Sequence, residues 1–504
     1  MDRTFDFHGT IMTIKSLSKK FKQIRTIYIL GMILVLSGFT HLWNTVGFPD
    51  LFYDEGVYME RAMHVLNGLG PQDRYFYDHP YFGQIFLAAL FGLIGFPNSL
   101  HPSADPNFIS SLYFVPRFIM GLLAVLDTFL VYHIADTRYG KKIALASSLL
   151  FAVMPFTWIM RRILLDSILM PFLLTSILFA LKTKDSKNKY LLASLSGLCL
   201  GIAIFTKIPV FTMIPLITGL VYFNTGKNIR ALALLLIPIF LIPLIWPLQA
   251  VGAHQFDMWI RDVIGQTQRQ SFGLPYISLV FFKLDPVLFV LGIAGTVFTI
   301  VRRNYFILFW FVPFVIFLLM IGYNQYFYWI PILPVFCISA SILIMNILER
   351  LNKKNLNKVL PSVVFLGIAI FGLTSTILVI SVNVTNSEFQ TTSFILQNVH
   401  DDDTTVLASP TYAWILHYVF HKENIPNDYS FVLFNHVRTG KILLVADPHF
   451  LIDLGRGKQL QQIYNDSKTI ATFDEDLSKY DMSVYPYSNI KMNVDGEHIQ
   501  VKMK

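Results

Sequence analysis

Two cysteines in 504 residues, Cys199 and Cys337, both inside apolar runs, exclude a disulfide framework and a cysteine-ligated zinc site. Charge is scarce too. Asp, Glu, Lys and Arg make up only 14% of the chain, and they gather in short clusters, which excludes a water-soluble domain of this length. No small-residue cleavage site follows the first apolar stretch. The basic start (Lys15, Lys19, Lys20, Lys22, Arg25) therefore reads as the cytoplasmic flank of a retained anchor, with 1–26 as a cytoplasmic N-terminus. What is plentiful is apolar: 54% hydrophobic residues, 45 Phe and a mean hydropathy of +0.53. The formal charge of +8 sits in clusters beside apolar runs. That is a topology signal rather than a phosphate-binding stripe, so nucleic acid is excluded as a partner and membrane lipids are expected.

Runs near 27–43, 112–134, 143–160, 167–181, 190–206, 208–223, 230–250, 284–301, 305–321, 327–347 and 359–382 are long enough to span a bilayer, or nearly so. Every second connector is basic: Arg138 to Lys142, Lys182 to Lys189, Lys227 to Arg230, Arg302-Arg303 and Arg350 to Lys358. These face the cytoplasm by the positive-inside rule. One further run, Tyr81 to Phe96, is only about 24 Å long as a helix, against a hydrocarbon core of about 30 Å. Spanning would flip every later basic loop, so it is expected to be juxtamembrane or re-entrant. The predicted fold is mainly α: a polytopic membrane protein of about eleven transmembrane helices, with juxtamembrane helices in a first outward loop at 44–111. A small C-terminal α/β domain at 384–504 lies outside, with a β-like run at 441–446.

Three outward regions carry polar groups where a membrane discourages them. In the first, Tyr53-Asp54-Glu55-Gly56-Val57-Tyr58 opens a short amphipathic helix expected to end at Gly68-Leu69-Gly70 and to lie flat at the membrane surface. Asp54 as its N-cap is the plainer reading, but capping needs one acid rather than two. The stretch 74–80, Arg-Tyr-Phe-Tyr-Asp-His-Pro, places Asp78 beside His79 and reads equally as an aromatic interface belt. In the second region, Arg161-Arg162 precedes Asp166 between two apolar runs. An Arg162–Asp166 pair at i,i+4, with Asp166 capping the next helix, competes with Asp166 facing the first-loop acids. The third, 251–283, holds Arg269 among Gln255, Gln266, Gln268 and Gln270, suited to bidentate grip of a phosphate. Lys207, in a short outward hinge, is equally explained by snorkelling.

The order of these features resembles the GT-C superfamily of membrane glycosyltransferases, on the branch of protein O-mannosyltransferases and lipid A aminoarabinose transferases. The matching elements are Asp54-Glu55 after the first helix, His79-Pro80, Arg117 opening the next helix, Arg138-Tyr139-Gly140 ending it, Pro155, Arg162 to Asp166, Lys207 and an arginine in the large outward loop. They cover roughly 27–350 of a catalytic domain expected at 27–383. The resemblance implies inverting transfer of a sugar, hexosyl or pentosyl, from a polyprenyl-phosphate donor to a protein or a lipid or glycan acceptor on the outer face of a bacterial or archaeal plasma membrane. It implies catalytic roles for Asp54, as base, and Asp166. Substrate-binding roles fall to Glu55, His79, Arg117, Arg162, Lys207 and Arg269, and a divalent cation, Mg or Mn, on Asp54 and Asp166 is a candidate cofactor. His79-Pro80-Tyr81-Phe82-Gly83 departs from the His-Pro-Pro-Leu-Gly of typical protein mannosyltransferases. The competing reading is a transporter or flippase with Asp54, Asp166 and Arg117 along its path, but no pair of corresponding broken helices is visible.

Overall fold

The computed structural model describes residues 7–71, 76–269, 272–352, 360–399, 404–433, 435, 440–490 and 498–504; Arg74 and Gln270 lie outside them. Apolar runs with no water to satisfy their backbone close their hydrogen bonds internally, as helices. α1 (Phe7–Leu42) leads to two short helices, α2 (Tyr53–Leu66) and α3 (Phe82–Ile94). Then follow α4 (Pro106–Tyr139), α5 (Lys141–Val153), α6 (Leu165–Lys182), α7 (Lys189–Thr206), α8 (Ile214–Asn224) and α9 (Ile229–Gly252). α10 (Phe256–Gln268) and α11 (Leu274–Leu284) form the large loop, and α12 (Pro286–Val301), α13 (Tyr305–Met320), α14 (Leu333–Asn352) and α15 (Leu360–Ile380) complete the bundle.

Each of the predicted runs carries helix, but among the described residues seven helices are long and apolar enough to cross alone, or eight if one bent pair counts as a span. That pair replaces the straight span expected at 143–160. α5 stops at Val153, and a 3₁₀ turn from Pro155 to Arg161 departs at 68°. Pro155 has no N–H to continue the α ladder, so the chain turns there and delivers Arg161 and Arg162 to the interior. α3, at 13 residues, is about 20 Å long and too short to cross. Within the bundle, Gly197 and Gly201 of α7 let the α9 carbonyls of Leu235 and Pro238 approach where a Cβ would collide, the small-residue packing of membrane helices.

Beyond α16 (Asn386–Asn398), the C-terminal part builds a four-stranded sheet from β1 (Thr404–Leu407), β2 (Lys441–Ala446), β3 (Lys468–Asp474) and β4 (His498–Met503), in the order β1-β2-β4-β3. β1 and β2 are parallel, with Thr404 opposite Lys441; the other two pairings are antiparallel. Three short helices, α17 (Pro410–Trp414), α18 (Pro448–Asp453) and α19 (Lys458–Asp466), flank it. One face of the sheet, with Leu443, Val445 and Val501, shares a continuous apolar core with Tyr58, Tyr113 and the membrane helices.

That shared core changes the expected place of α2. Its residues Tyr58 to His64 are buried rather than laid on lipid. Leu66 packs on Gly92 of α3, and Gly56 lies against the backbone of Pro410 and Thr411, where any Cβ would overlap main-chain atoms. Tyr113 on α4 donates to the Thr411 carbonyl at 2.9 Å and accepts from Trp414 Nε1 at 3.0 Å, fastening the same junction.

Candidate active site

α2 starts with Phe52 as its N-cap, so Asp54 is inside the first turn rather than capping it. The cap position is served by Glu55, whose Oε2 accepts from Phe52 N at 3.0 Å. Glu55 is fully buried. Arg117 grips it with Nε to Oε1 at 3.0 Å and Nη2 to Oε2 at 2.6 Å, the two-pronged geometry only arginine offers. Arg162 adds Nη1 at 3.3 Å and Ile163 its backbone N–H at 2.9 Å. Arg117 also donates to the carbonyls of Pro49 at 2.6 Å and Asp50 at 2.7 Å, and Arg162 reaches Asp50 Oδ1 at 2.5 Å. Burial pushes the Glu55 carboxyl up, but Arg117 and Arg162 outweigh it and hold the group below the usual carboxylate range. Both arginines are almost wholly inaccessible. Arg161, beside them, spends its guanidinium on the Phe48 and Trp43 carbonyls. Arg161 and Arg162 thus tie the first loop to the 155–166 turn, and of the two readings of Asp166 the Arg162–Asp166 pair does not form.

One residue earlier the environment reverses. Successive helix positions point about 100° apart. Asp54 accordingly leaves the knot and faces a half-buried cleft, where no hydrogen bond to its carboxylate forms among the described residues. Its electrostatic neighbours are Lys207, Asp78, His449 and Arg269. Burial pushes Asp54 above the usual carboxylate range, with Asp78 adding to the effect, and the three basic groups only partly oppose it.

The cleft walls come from five parts of the chain. Lys207 ends α7 and donates Nζ to Asp166 Oδ2 at 2.5 Å; both are buried. The ammonium also lies 4.3 Å from the centre of the Tyr328 ring and 5.0 Å from that of Phe327. Asp166 sits in the first turn of α6, whose N-cap is Leu164, so it pairs rather than caps. Asp78 takes Arg61 Nη1 at 2.8 Å and the His79 N–H at 2.9 Å, and is held below the usual range by Arg61 against its burial. Burial lowers His79 to about 4, helped by Lys207, Arg61 and Arg269, which leaves a neutral imidazole. Arg269 caps the end of α10 at the exposed rim, its guanidinium 4.7 Å from the Tyr323 ring centre. Gly322 lets the Arg269 carbonyl approach the 322–328 turn, which sets that position.

The predicted residues therefore separate into two groups. Asp54, Asp166, His79, Lys207 and Arg269 line one cleft. Glu55, Arg117 and Arg162 are drawn together behind it, where both arginines hold the Glu55 carboxylate. A protein-held divalent cation on Asp54 and Asp166 does not fit. Among the described residues no three His, Cys, Asp or Glu side chains converge on one point, and Lys207 already neutralises Asp166. Sequence reasoning missed Tyr58 and His449. Tyr58 and Tyr328 lie within electrostatic reach of both aspartates. Tyr328 carried a weak signal in its polar-aromatic turn; His449, in a C-terminal segment without a recognisable motif, carried none.

Residues 31–250 match the family described as dolichyl-phosphate-mannose-protein mannosyltransferase. The fold is similar to that of ArnT from Cupriavidus metallidurans, solved bound to undecaprenyl phosphate: the TM-score is 0.59 at 14% identity, over 95% of this chain and 97% of that one. It is also similar to the archaeal oligosaccharyltransferase AglB from Archaeoglobus fulgidus, solved with an inhibitory peptide and a dolichol-phosphate, with a TM-score of 0.53 at 12% identity over 86% of this chain and 70% of that one. No curated protein sequence matches the chain significantly. The chain shares the fold of these two membrane enzymes, and its many apolar helices make it an integral membrane protein.

Proposed function

Taking a GT-C membrane glycosyltransferase as the premise, we propose that this protein moves a sugar, with inversion, from a polyprenyl-phosphate donor to a hydroxyl of a protein or a lipid or glycan acceptor. The observation that carries this reading is Asp54: a carboxylate with no hydrogen bond among the described residues, raised above its usual range, facing a cleft that also holds Lys207 and Arg269. Asp54 takes the proton from the acceptor hydroxyl, and the oxygen attacks the anomeric carbon from the side opposite the phosphate. The bond from that carbon to the phosphate oxygen breaks with both electrons passing to the phosphate. Arg269, exposed at the rim with its planar donors, meets the charge that develops there. A raised carboxyl is a better base at neutral pH than an ordinary one.

The other residues receive graded roles. Asp166 and Lys207 act as one neutral wall that keeps an ammonium beside the base. His79, a neutral imidazole, offers a hydrogen bond to donor or acceptor. Glu55, Arg117 and Arg162 are positioning residues that fix the start of α2 and hence the direction of Asp54. The cleft faces outward, with the N-terminus cytoplasmic and the C-terminal domain outside; the alternating basic connectors support that orientation. Transfer of labelled sugar from polyprenyl-phosphate mannose by purified protein, with Asp54→Asn as control, tests the reading. Equal turnover by Asp54→Asn removes the base; failure of the folded wild type to cleave any polyprenyl-phosphate sugar removes the reaction.

A further inference from the structure

The C-terminal domain brings a histidine to the cleft. His449, in α18, stacks on Tyr53, the residue before Asp54, with ring centroids 4.1 Å apart and planes at 17°. Tyr53 in turn donates its hydroxyl to Asp428, also from the C-terminal domain, and Ser430 donates to the same carboxylate at 2.8 Å. His449 is itself within electrostatic reach of Asp54.

The hydrogen bonds behind His449 fix its tautomer. Tyr429 Oη is 2.9 Å from Asp453 Oδ2 and 2.5 Å from His449 Nδ1. Asp453, which also holds Arg456 Nε at 3.0 Å, is a carboxylate and only accepts. The single hydroxyl hydrogen of Tyr429 is therefore committed to Asp453, and the tyrosine oxygen must accept from His449 Nδ1–H. In the neutral ring this leaves the lone pair on Nε2. Nε2 has no partner among the described residues, and the His449 side chain is 36% exposed. A ring held by stacking on one face and by a three-residue chain at one nitrogen, with the other nitrogen open beside the base, is a preorganised hydrogen-bond acceptor.

We propose that the C-terminal domain carries the acceptor subsite, and that His449 Nε2 accepts a hydrogen bond from a second N–H or O–H of the acceptor while Asp54 takes the reacting hydroxyl. This rests on the glycosyl-transfer reading above and adds the class of acceptor: one with two donors close together, as a peptide or an oligosaccharide has and a simple alkyl alcohol lacks. The close packing of Gly56 against Pro410 and Thr411 keeps base and subsite in register.

The test uses full-length protein in detergent, polyprenyl-phosphate mannose as donor, and a serine-containing peptide, a free oligosaccharide and an alkyl alcohol as acceptors. Donor hydrolysis by water is followed alongside. His449→Phe keeps the stack and removes the acceptor nitrogen. It is expected to raise the KM of the peptide or oligosaccharide about tenfold, the loss of one hydrogen bond with its donor left unpaired. Donor KM stays unchanged, and His449→Gln, which again offers an acceptor atom, recovers part of the loss. The proposal is overturned if acceptor and donor KM rise together, if neither moves, or if wild type cleaves donor yet prefers the alkyl alcohol or uses neither two-donor acceptor. Absence of donor cleavage by wild type would instead remove the glycosyl-transfer reading itself.

Discussion

Asp54 and Glu55 share a peptide bond, yet Glu55 receives Arg117, Arg162 and two backbone N–H groups while Asp54 receives none among the described residues. One region of the molecule, the Glu55 knot, is buried and cross-linked by ion pairs. The other, the Asp54 cleft, leaves the Asp54 carboxylate without a hydrogen bond among the described residues and Arg269 exposed at its rim. Polar groups near a membrane are costly in both places, and the structure separates two reasons for keeping them. In the knot, charge fixes geometry: one carboxylate ties α2, α4 and the 155–166 turn into a single body. In the cleft, charge is left for something that arrives.

The largest expected effect falls on the cleft side. Asp54→Asn should lower turnover by about 10²–10⁴, the usual range for a lost general base, without lowering the thermal midpoint of the purified protein. A variant that loses activity and melting temperature together would put Asp54 in the structural region and dissolve the contrast. The knot side predicts the reverse pattern. Arg117→Met leaves Glu55 buried with too little positive charge, at about 3–5 kcal/mol of stability. It should appear as poor folded yield, partly restored by adding Glu55→Gln. A well-folded Arg117→Met protein with weakened donor binding would make Arg117 a ligand after all. Smaller still, Arg269→Gln should slow donor cleavage at unchanged melting temperature by about 1.5–3 kcal/mol in the barrier, the value of hydrogen bonds to a charged group.

The architecture was largely legible from composition because apolar runs in a bilayer have few alternatives to helix, and the β-like run at 441–446 became β2. The break at Pro155 was visible as a residue but not as a 68° turn, since a proline inside an apolar run is read either as a kink or as a new start. At the site, the residue types were legible and their partners were not. Arg162 and Asp166 are four apart, but Arg162 pairs with Asp50 and Glu55 and Asp166 with Lys207. Those contacts span 41 to 112 positions, beyond any local spacing rule. Which of Asp54 and Glu55 would face the cleft depended on the rotation of α2, set by Arg117 and by the C-terminal backbone at Gly56. His449 became visible only once that domain was docked.

Acid separates the two regions without a mutation. Asp54 has its carboxyl raised, chiefly by burial, and must be ionised to act as a base. Activity should therefore fall on acidification while the pH is still above the ordinary carboxylate range. Asp54 cannot unfold the protein there, because a group whose folded-state pKa is raised binds its proton more readily when folded. Glu55 has the opposite sign. Its folded-state pKa is depressed, so its stabilisation is present above the unfolded carboxylate pKa and is lost only as the pH falls through the lower, folded value. Initial rates and thermal midpoints measured over one pH series should show reversible inactivation first and destabilisation at distinctly lower pH. Asp54→Asn should abolish the first limb and leave the second; Glu55→Gln should flatten the second, from a lower starting stability. Two limbs that fall together would mean that the carboxylates are not electrostatically distinct, and that the division between a structural knot and a reactive cleft is drawn in the wrong place.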